Sequence, residues 1–206
     1  MKNLQFKQLL LLSDTQKKAN QFLFQKRFNL ITADDNSVGK STLAKLLLWT
    51  FGCEPDFDST WKSTDCKCLV DFSIDGTNYK ILRYQNFISL KEENKEILNY
   101  TNIGGDYSKK FAELVDFKVL LPKRGSNETE LITPPPAYYF LPFYMDQKNS
   151  WSKTWNSFGK LGQFDSWQKT VIKYHLGYLS PKHFELEQDL SDNKRQINEL
   201  NQEVEK

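Results

Sequence analysis

The 206-residue chain carries 28 basic and 26 acidic side chains, a formal net charge of +2, and 39% hydrophobic residues. That balance excludes a strongly basic nucleic-acid coat and a strongly acidic tail, and no apolar run reaches the roughly 18–20 residues of a membrane span. Exchanging the nine Tyr for the nine Gly leaves the apolar figure unchanged, below the roughly 45–50% of typical globular domains, so part of the chain forms little core.

In chain order, the opening Met1–Lys7 is too polar for a secretory signal. Residues 1–90 read as a regular α/β unit, 91–140 as irregular, 141–180 as aromatic-rich and 181–206 as highly polar. Phe28–Thr32 is a short apolar run bounded by turn formers, the pattern of a buried strand. Ser41–Phe51 has helical periodicity, with Leu43, Leu46, Leu47 and Thr50 on one side and Gly52 at the C-terminal glycine position. Cys66–Ile74 and Thr77–Tyr84 flank Asp75-Gly76, a strong hairpin signal. Beyond Pro181, Leu190, Ile197 and Val204 recur every seven residues, with Leu186 and Leu200 between them, which predicts a helix seeking a partner helix. The expected division is a lobe over 1–180 and the start of a coiled coil over 181–206.

Chemistry concentrates in Asp34-Asp35-Asn36-Ser37-Val38-Gly39-Lys40-Ser41-Thr42. The phosphate-binding P-loop pattern is G-x-x-x-x-G-K-[ST] between a strand and a helix; Gly39, Lys40 and Ser41 fit it, while Asp34 stands at the first glycine position. Backbone N–H groups of Asn36, Ser37, Val38 and the first helical turn would converge on an anion, helped by the helix dipole. Lys40 would reach the β/γ-phosphates, Ser41 would offer its hydroxyl to Mg²⁺, and Thr42 could reach the α-phosphate region. ATP and Mg²⁺ are the expected cofactors. Two adjacent carboxylates at 34 and 35 would repel a triphosphate unless turned away.

The runs Asn29–Thr32, Asn36–Leu43 and Leu48–Gly52 resemble the N-terminal ATPase lobe of the SMC (structural maintenance of chromosomes) family, including its DNA-repair branch. The resemblance implies a P-loop NTPase lobe of ABC/SMC type, an α/β fold with an antiparallel β-subdomain, leading into a coiled-coil arm. It implies a Q-loop glutamine that contacts Mg²⁺ and the attacking water, for which Gln147 in Phe143-Tyr144-Met145-Asp146-Gln147 is the candidate, with Asp146 as a neighbour of the metal shell. Lys40 and Gln147 would then be the catalytic pair and Ser41 and Gln147 the metal contacts. Basic residues of the first loop touch nucleotide or DNA in such heads, which makes Lys17 and Lys18 candidates.

The partners so implied are a C-terminal lobe of the same protein, a second head in a homodimer, and double-stranded DNA. Ser13-Asp14 with Lys17-Lys18-Ala19, Cys53-Glu54-Pro55 and Phe140–Gln147 look similar to the SMC-like subunit of Lamassu-type anti-phage systems. That narrower likeness implies an effector nuclease and an accessory subunit. The signature and Asp-Glu motifs that complete such an ATPase are absent from these residues, so hydrolysis would need a second lobe. A non-hydrolysing interaction module, or the head of an overcoming-lysogenisation-type nuclease, are the alternatives.

Other chemistry finds little footing. Cys53, Cys66 and Cys68 cannot all pair and suit a reducing cytosol, and they lack a fourth ligand at zinc spacing. His175 and His183 have no nucleophile context. Trp151, Trp155, Phe158, Phe164 and Trp167 could stack bases or pack a lobe surface.

Overall fold

The computed structural model describes residues 2–35, 39–125, 130–148, 150 and 155–204. Strands β1 (Leu4–Ser13), β2 (Lys18–Leu23), β3 (Cys66–Ile74), β4 (Thr77–Tyr84), β5 (Phe87–Glu92) and β6 (Ile97–Tyr100) form one antiparallel sheet in the order β2-β1-β3-β4-β5-β6. The expected hairpin forms with Ile74 opposite Thr77. Both of its turn residues have positive φ, Asp75 at 47° and Gly76 at 90°, as a two-residue turn matched to the strand twist requires. On the inner face the alternating residues Cys68, Val70 and Phe72 of β3 and Ile81 and Arg83 of β4 are buried, following the period of two along a strand.

Helix α1 (Lys40–Thr50) lies across this face, packing on β3 and β4. Leu43, Leu46 and Thr50 are buried as the periodicity predicts, and Leu48 is buried where Leu47 is only partly so. The helix ends at Gly52 with φ 94°. Gly52 N–H donates to the Trp49 carbonyl (2.9 Å) and Cys53 N–H to the Leu48 carbonyl (3.2 Å), the paired bonds of a glycine-terminated helix. A short α2 (Ser59–Lys62) follows. Phe51, fully buried, is the centre of an aromatic core, with its ring 4.9–6.1 Å from those of Phe6, Phe72, Phe111 and Phe140.

Residues 91–140 prove more regular than the polar composition predicts. They complete the β5–β6 hairpin and contain helix α3 (Asp106–Val115), a two-stranded ribbon of β7 (Leu121–Pro122) with β8 (Leu131–Ile132), and the short α4 (Ala137–Phe140). The polar run at 91–95 ends β5 and forms the exposed turn after it, while Tyr107, Phe111, Leu114 and Val115 line the inner side of α3. Helix α5 (Trp167–His175) closes that side, and Phe158, Phe164 and Trp167 are buried in it. Trp155 packs against the core and meets His175 edge-on. Trp155, Phe158, Phe164 and Trp167 therefore pack the lobe, whereas Phe143 and Tyr178 are exposed; Trp151 lies outside the described residues.

Helix α6 (Pro181–Val204) starts at the expected boundary. Phe184 and Ser191 are its buried residues, whereas Leu186, Leu190, Ile197, Leu200 and Val204 are 50–86% exposed. Among the described residues no helix is long and apolar enough to cross a membrane.

One expected element does not form. Residues 24–33 have no regular secondary structure, and Phe28 and Leu30 are 92% and 89% exposed. A strand must exchange hydrogen bonds with a neighbour, and none of the described strands flanks this run. Its polar residues turn it locally instead: the Gln25 N–H donates to Asn29 Oδ1 (2.6 Å), and Asn29 Nδ2 donates to the Gln25 carbonyl (3.0 Å). Such short-range side-chain bonds compete with strand pairing.

Candidate functional site

Helix α1 begins with an open amino end. Gly39 is its N-cap, with φ 94° and ψ 11°, and among the described residues no side chain caps the first turn. The first intrahelical bond runs from Leu43 N–H to the Gly39 carbonyl (2.9 Å), so the N–H groups of Lys40, Ser41 and Thr42 have no partner within the helix. No acidic residue lies in that turn to neutralise the dipole. A side chain at 39 would meet no atom of the described residues within 4 Å, and the positive φ favours glycine there.

Lys40 Nζ donates to the Asp35 carbonyl (2.8 Å), which draws its ammonium back across the loop. Gly39 and Ser41 are exposed, and Lys40 and Thr42 are half-buried. Asp34 and Asp35 are both exposed. Asn36, Ser37 and Val38 lie outside the described residues.

Gln147 occupies an exposed turn after Asp146, and Asp146 ties that turn to α1. Its Oδ1 accepts an ion pair from Lys45 Nζ at 3.3 Å, with the aspartate side chain 1% exposed. The Tyr144 hydroxyl also donates to Oδ1 (3.3 Å), and the Lys148 N–H donates to Oδ2 (3.0 Å). The Asp146 N–H donates to Ser150 Oγ (2.8 Å) and Ser157 Oγ (3.3 Å). Burial, and next the adjacent Asp146 carboxylate, push the Tyr144 phenol well above its ordinary value. Asp146 is thus an anchor between this turn and α1.

Lys45 is four residues after Ser41, which places the two on one face of α1, one turn apart. The turn holding Gln147 is therefore fastened to the face that carries Ser41. Sequence reasoning missed Lys45; the available signal was a lysine one helical turn beyond the Ser41 hydroxyl, on a helix otherwise dominated by Leu and Ala. It also missed Arg83, which is 2% exposed. Arg83 donates to the Trp49 (2.5 Å), Cys53 (3.1 Å) and Gln85 (2.8 Å) carbonyls and to Glu54 Oε1 (2.6 Å). Its guanidinium lies 4.2 Å from the Trp49 ring centroid. Arg83 thus holds the carboxyl end of α1, and Asp146 its middle.

Lys17, with φ 50°, and Lys18 are exposed at the β1–β2 turn. That turn is docked by the Ser13 and Thr15 hydroxyls, both donating to the Thr64 carbonyl (2.5 and 2.8 Å). Both lysines line an open groove with Trp61 and Thr64, and none of residues 39–42 lines it.

No protein-family model matches the chain. It is 27% identical over 180 residues to Lamassu protein LmuB of Bacillus cereus (strain VD014), covering 87% of this chain and 31% of that one. The chain is similar to Lamassu protein LmuB. A second protein of that name, from a Bacillus species (strain NIO-1130), is 27% identical over 136 residues, 66% of this chain and 23% of its own length. The chain thus spans less than a third of the length of the curated relatives it matches. A stretch of 180 residues in a chain of 206 includes positions 27–180 wherever it starts, so the loop at 34–42, Lys45 and Gln147 all fall inside the likeness to LmuB.

Elsewhere the free thiols of Cys66 and Cys68 stand 3.9 Å apart, with Cys68 and Cys53 buried. Among the described residues no group of three or more His, Cys, Asp or Glu side chains is placed to hold a metal ion. His175 Nε2 meets the Tyr138 carbonyl at 3.1 Å, and burial lowers its pKa.

Proposed function

We propose that this chain is the ATP-binding lobe of an SMC-like ATPase in a Lamassu-type anti-phage defence system. The observation that carries the reading is the amino end of α1, where a first turn with no side-chain cap among the described residues follows a left-handed Gly39 and Lys40 Nζ donates to the Asp35 carbonyl. Backbone donors, helix dipole and ammonium together suit a triphosphate. The exposed Ser41 hydroxyl suits Mg²⁺, and Gln147, fastened to the same face, suits the γ-phosphate side. The likeness to LmuB supports the defence assignment.

The residues present fit the cofactor with one reservation of charge. The Asp34 and Asp35 carboxylates must point away from the phosphates, as their exposure permits. Bound Mg·ATP would supply the differential contact, a γ-phosphate gripped by Lys40, that favours one arrangement of the head over another. The exposed run Phe28–Thr32 would pair with strands of a C-terminal lobe. The exposed stripe of α6 would pack on a returning helix. A second head, double-stranded DNA and an accessory subunit complete the proposed assembly, with the effector nuclease held in check until DNA is sensed.

Lys40→Ala in the full-length protein tests the reading. Equilibrium titration with Mg·ATP should show binding weakened by about 100-fold, equivalent to losing one buried charge-assisted contact of about 2.7 kcal/mol. Protection of cells against phage should be lost with it. Unchanged ATP binding and protection would refute the proposal.

A further inference from the structure

Lys45 and Asp146 have no place in the P-loop pattern, yet they form a buried ion pair between two separate segments. Asp146 is 1% exposed and Lys45 16%. Removing two charges from water is unfavourable unless their geometry and remaining hydrogen bonds are well satisfied. Here they are. Lys45 Nζ also donates to the Asp56 carbonyl (2.7 Å), Asp146 Oδ1 accepts a second bond from the Tyr144 hydroxyl, and Oδ2 accepts the Lys148 N–H. A hydrophobic pair could fill the same space, but it would not fix direction.

Resting on the nucleotide-binding reading above, we infer that Lys45 and Asp146 are positioning residues whose ion pair sets the Gln147 turn against the Ser41 face of α1. Nucleotide contacts at Ser41 and the posture of that turn are thereby made to depend on each other. Four residues of helix separate Ser41 from Lys45, a rise of about 6 Å. Peptide geometry sets Gln147 about 3.8 Å from Asp146, measured between Cα atoms. Cα–Cβ bonds on a helix tilt toward its amino end, the end at which Ser41 lies, and the Lys45 ammonium holds the turn through Asp146. Asp146, with both oxygens occupied, holds the turn, and the exposed Gln147 beside it is the group left to meet a γ-phosphate. Lys148 adds an outer tie to Asp56 at 3.3 Å, exposed and correspondingly weak.

The experiment measures Mg·ATP and Mg·ADP affinities of the full-length protein by competition against a fluorescent ADP analogue. Gln147→Ala, Lys45→Met and Asp146→Asn should each lower the ATP-to-ADP affinity ratio by about tenfold, within the usual range of coupling between sites, while ADP affinity changes by less than about threefold. Lys45→Arg, and the exchange Lys45→Asp with Asp146→Lys, should recover most of the ratio. Loss of folded protein would weaken both nucleotides alike and leave the ratio unmoved, so it cannot imitate this result. A wild-type ratio in Lys45→Met and Asp146→Asn would overturn the inference while leaving the nucleotide site intact. If the wild-type protein binds neither nucleotide, or Lys40→Ala binds both as well as wild type, the proposed function itself falls and this inference with it.

Discussion

The antiparallel sheet and the segment that follows it meet water very differently. In the sheet, inward residues such as Val70, Ile81 and Ile88 are 0–1% exposed, and each central strand has two neighbours. Between β2 and α1, an equally apolar run leaves Phe28 and Leu30 about nine-tenths exposed. Composition does not separate the two. The sheet residues find paired strands on both sides, near in sequence as in the β3–β4 hairpin or far as between β1 and β3, whereas the run at 28–32 has no flanking strand among the described residues. Whether an apolar run becomes a strand is decided by what lies beside it.

This contrast predicts a graded response to substitution. Phe51→Ala, at the centre of the aromatic core, should destabilise the chain most, by about 3–5 kcal/mol in denaturant unfolding; a loss under about 1 kcal/mol would mean that the core collapses around the gap. Arg83→Met should follow at about 3 kcal/mol, because it leaves Glu54 and the helix-end carbonyls partly buried without their donor. Arg83→Lys should not restore the loss, since an ammonium cannot span four acceptors.

His175 gives a smaller, pH-dependent effect. Its Nδ1 is buried without a hydrogen-bond partner among the described residues, and burial depresses its pKa. The unfolded chain therefore binds the proton more readily. His175 contributes its full stability above its ordinary value of 6.5, and the contribution is lost as pH falls from there toward the folded value. Unfolding free energies measured from pH 5 to 7 should slope upward, and His175→Phe should flatten that slope.

Smallest of all, Phe28→Ser with Leu30→Ser should change the stability of the 206-residue chain by less than about 0.5 kcal/mol. In the full-length protein the same pair should lower the melting temperature if a further lobe covers the run. An equal response in both would erase the distinction between closed sheet and open segment.

Local rules made the hairpin at Asp75-Gly76, the helix ending at Gly52 and the helix start at Pro181 legible in the sequence, because each depends on residues a few positions apart. Strands β1 and β2 escaped notice, since Leu9–Leu12 gives a leucine run rather than an alternation, and α3 hid behind a polar neighbourhood. At the site, Gly39, Lys40 and Ser41 were readable from spacing alone. Lys45 and Asp146 were not, being 101 residues apart in sequence, and nothing in either local pattern announces the other. Lys17 and Lys18 were visible as charges, but their placement beside Trp61 came only with the docking of the turn onto Thr64.

Helix α6 has a mechanical consequence. Its 24 residues make a rod about 36 Å long. The last buried residue is Ser191, and beyond it about 20 Å of helix overhangs the lobe. From Phe184 to Val204 the arm is about 30 Å, so a rotation of about 10° at Phe184 would sweep the tip through roughly 5 Å, comparable to the rise of three or four helical residues. The seat of Phe184 among Tyr174 and His183, with ring centroids 5.7 and 5.1 Å away, is thus a fulcrum. Sub-ångström repacking there becomes displacement large enough to change which side chains meet along the exposed stripe.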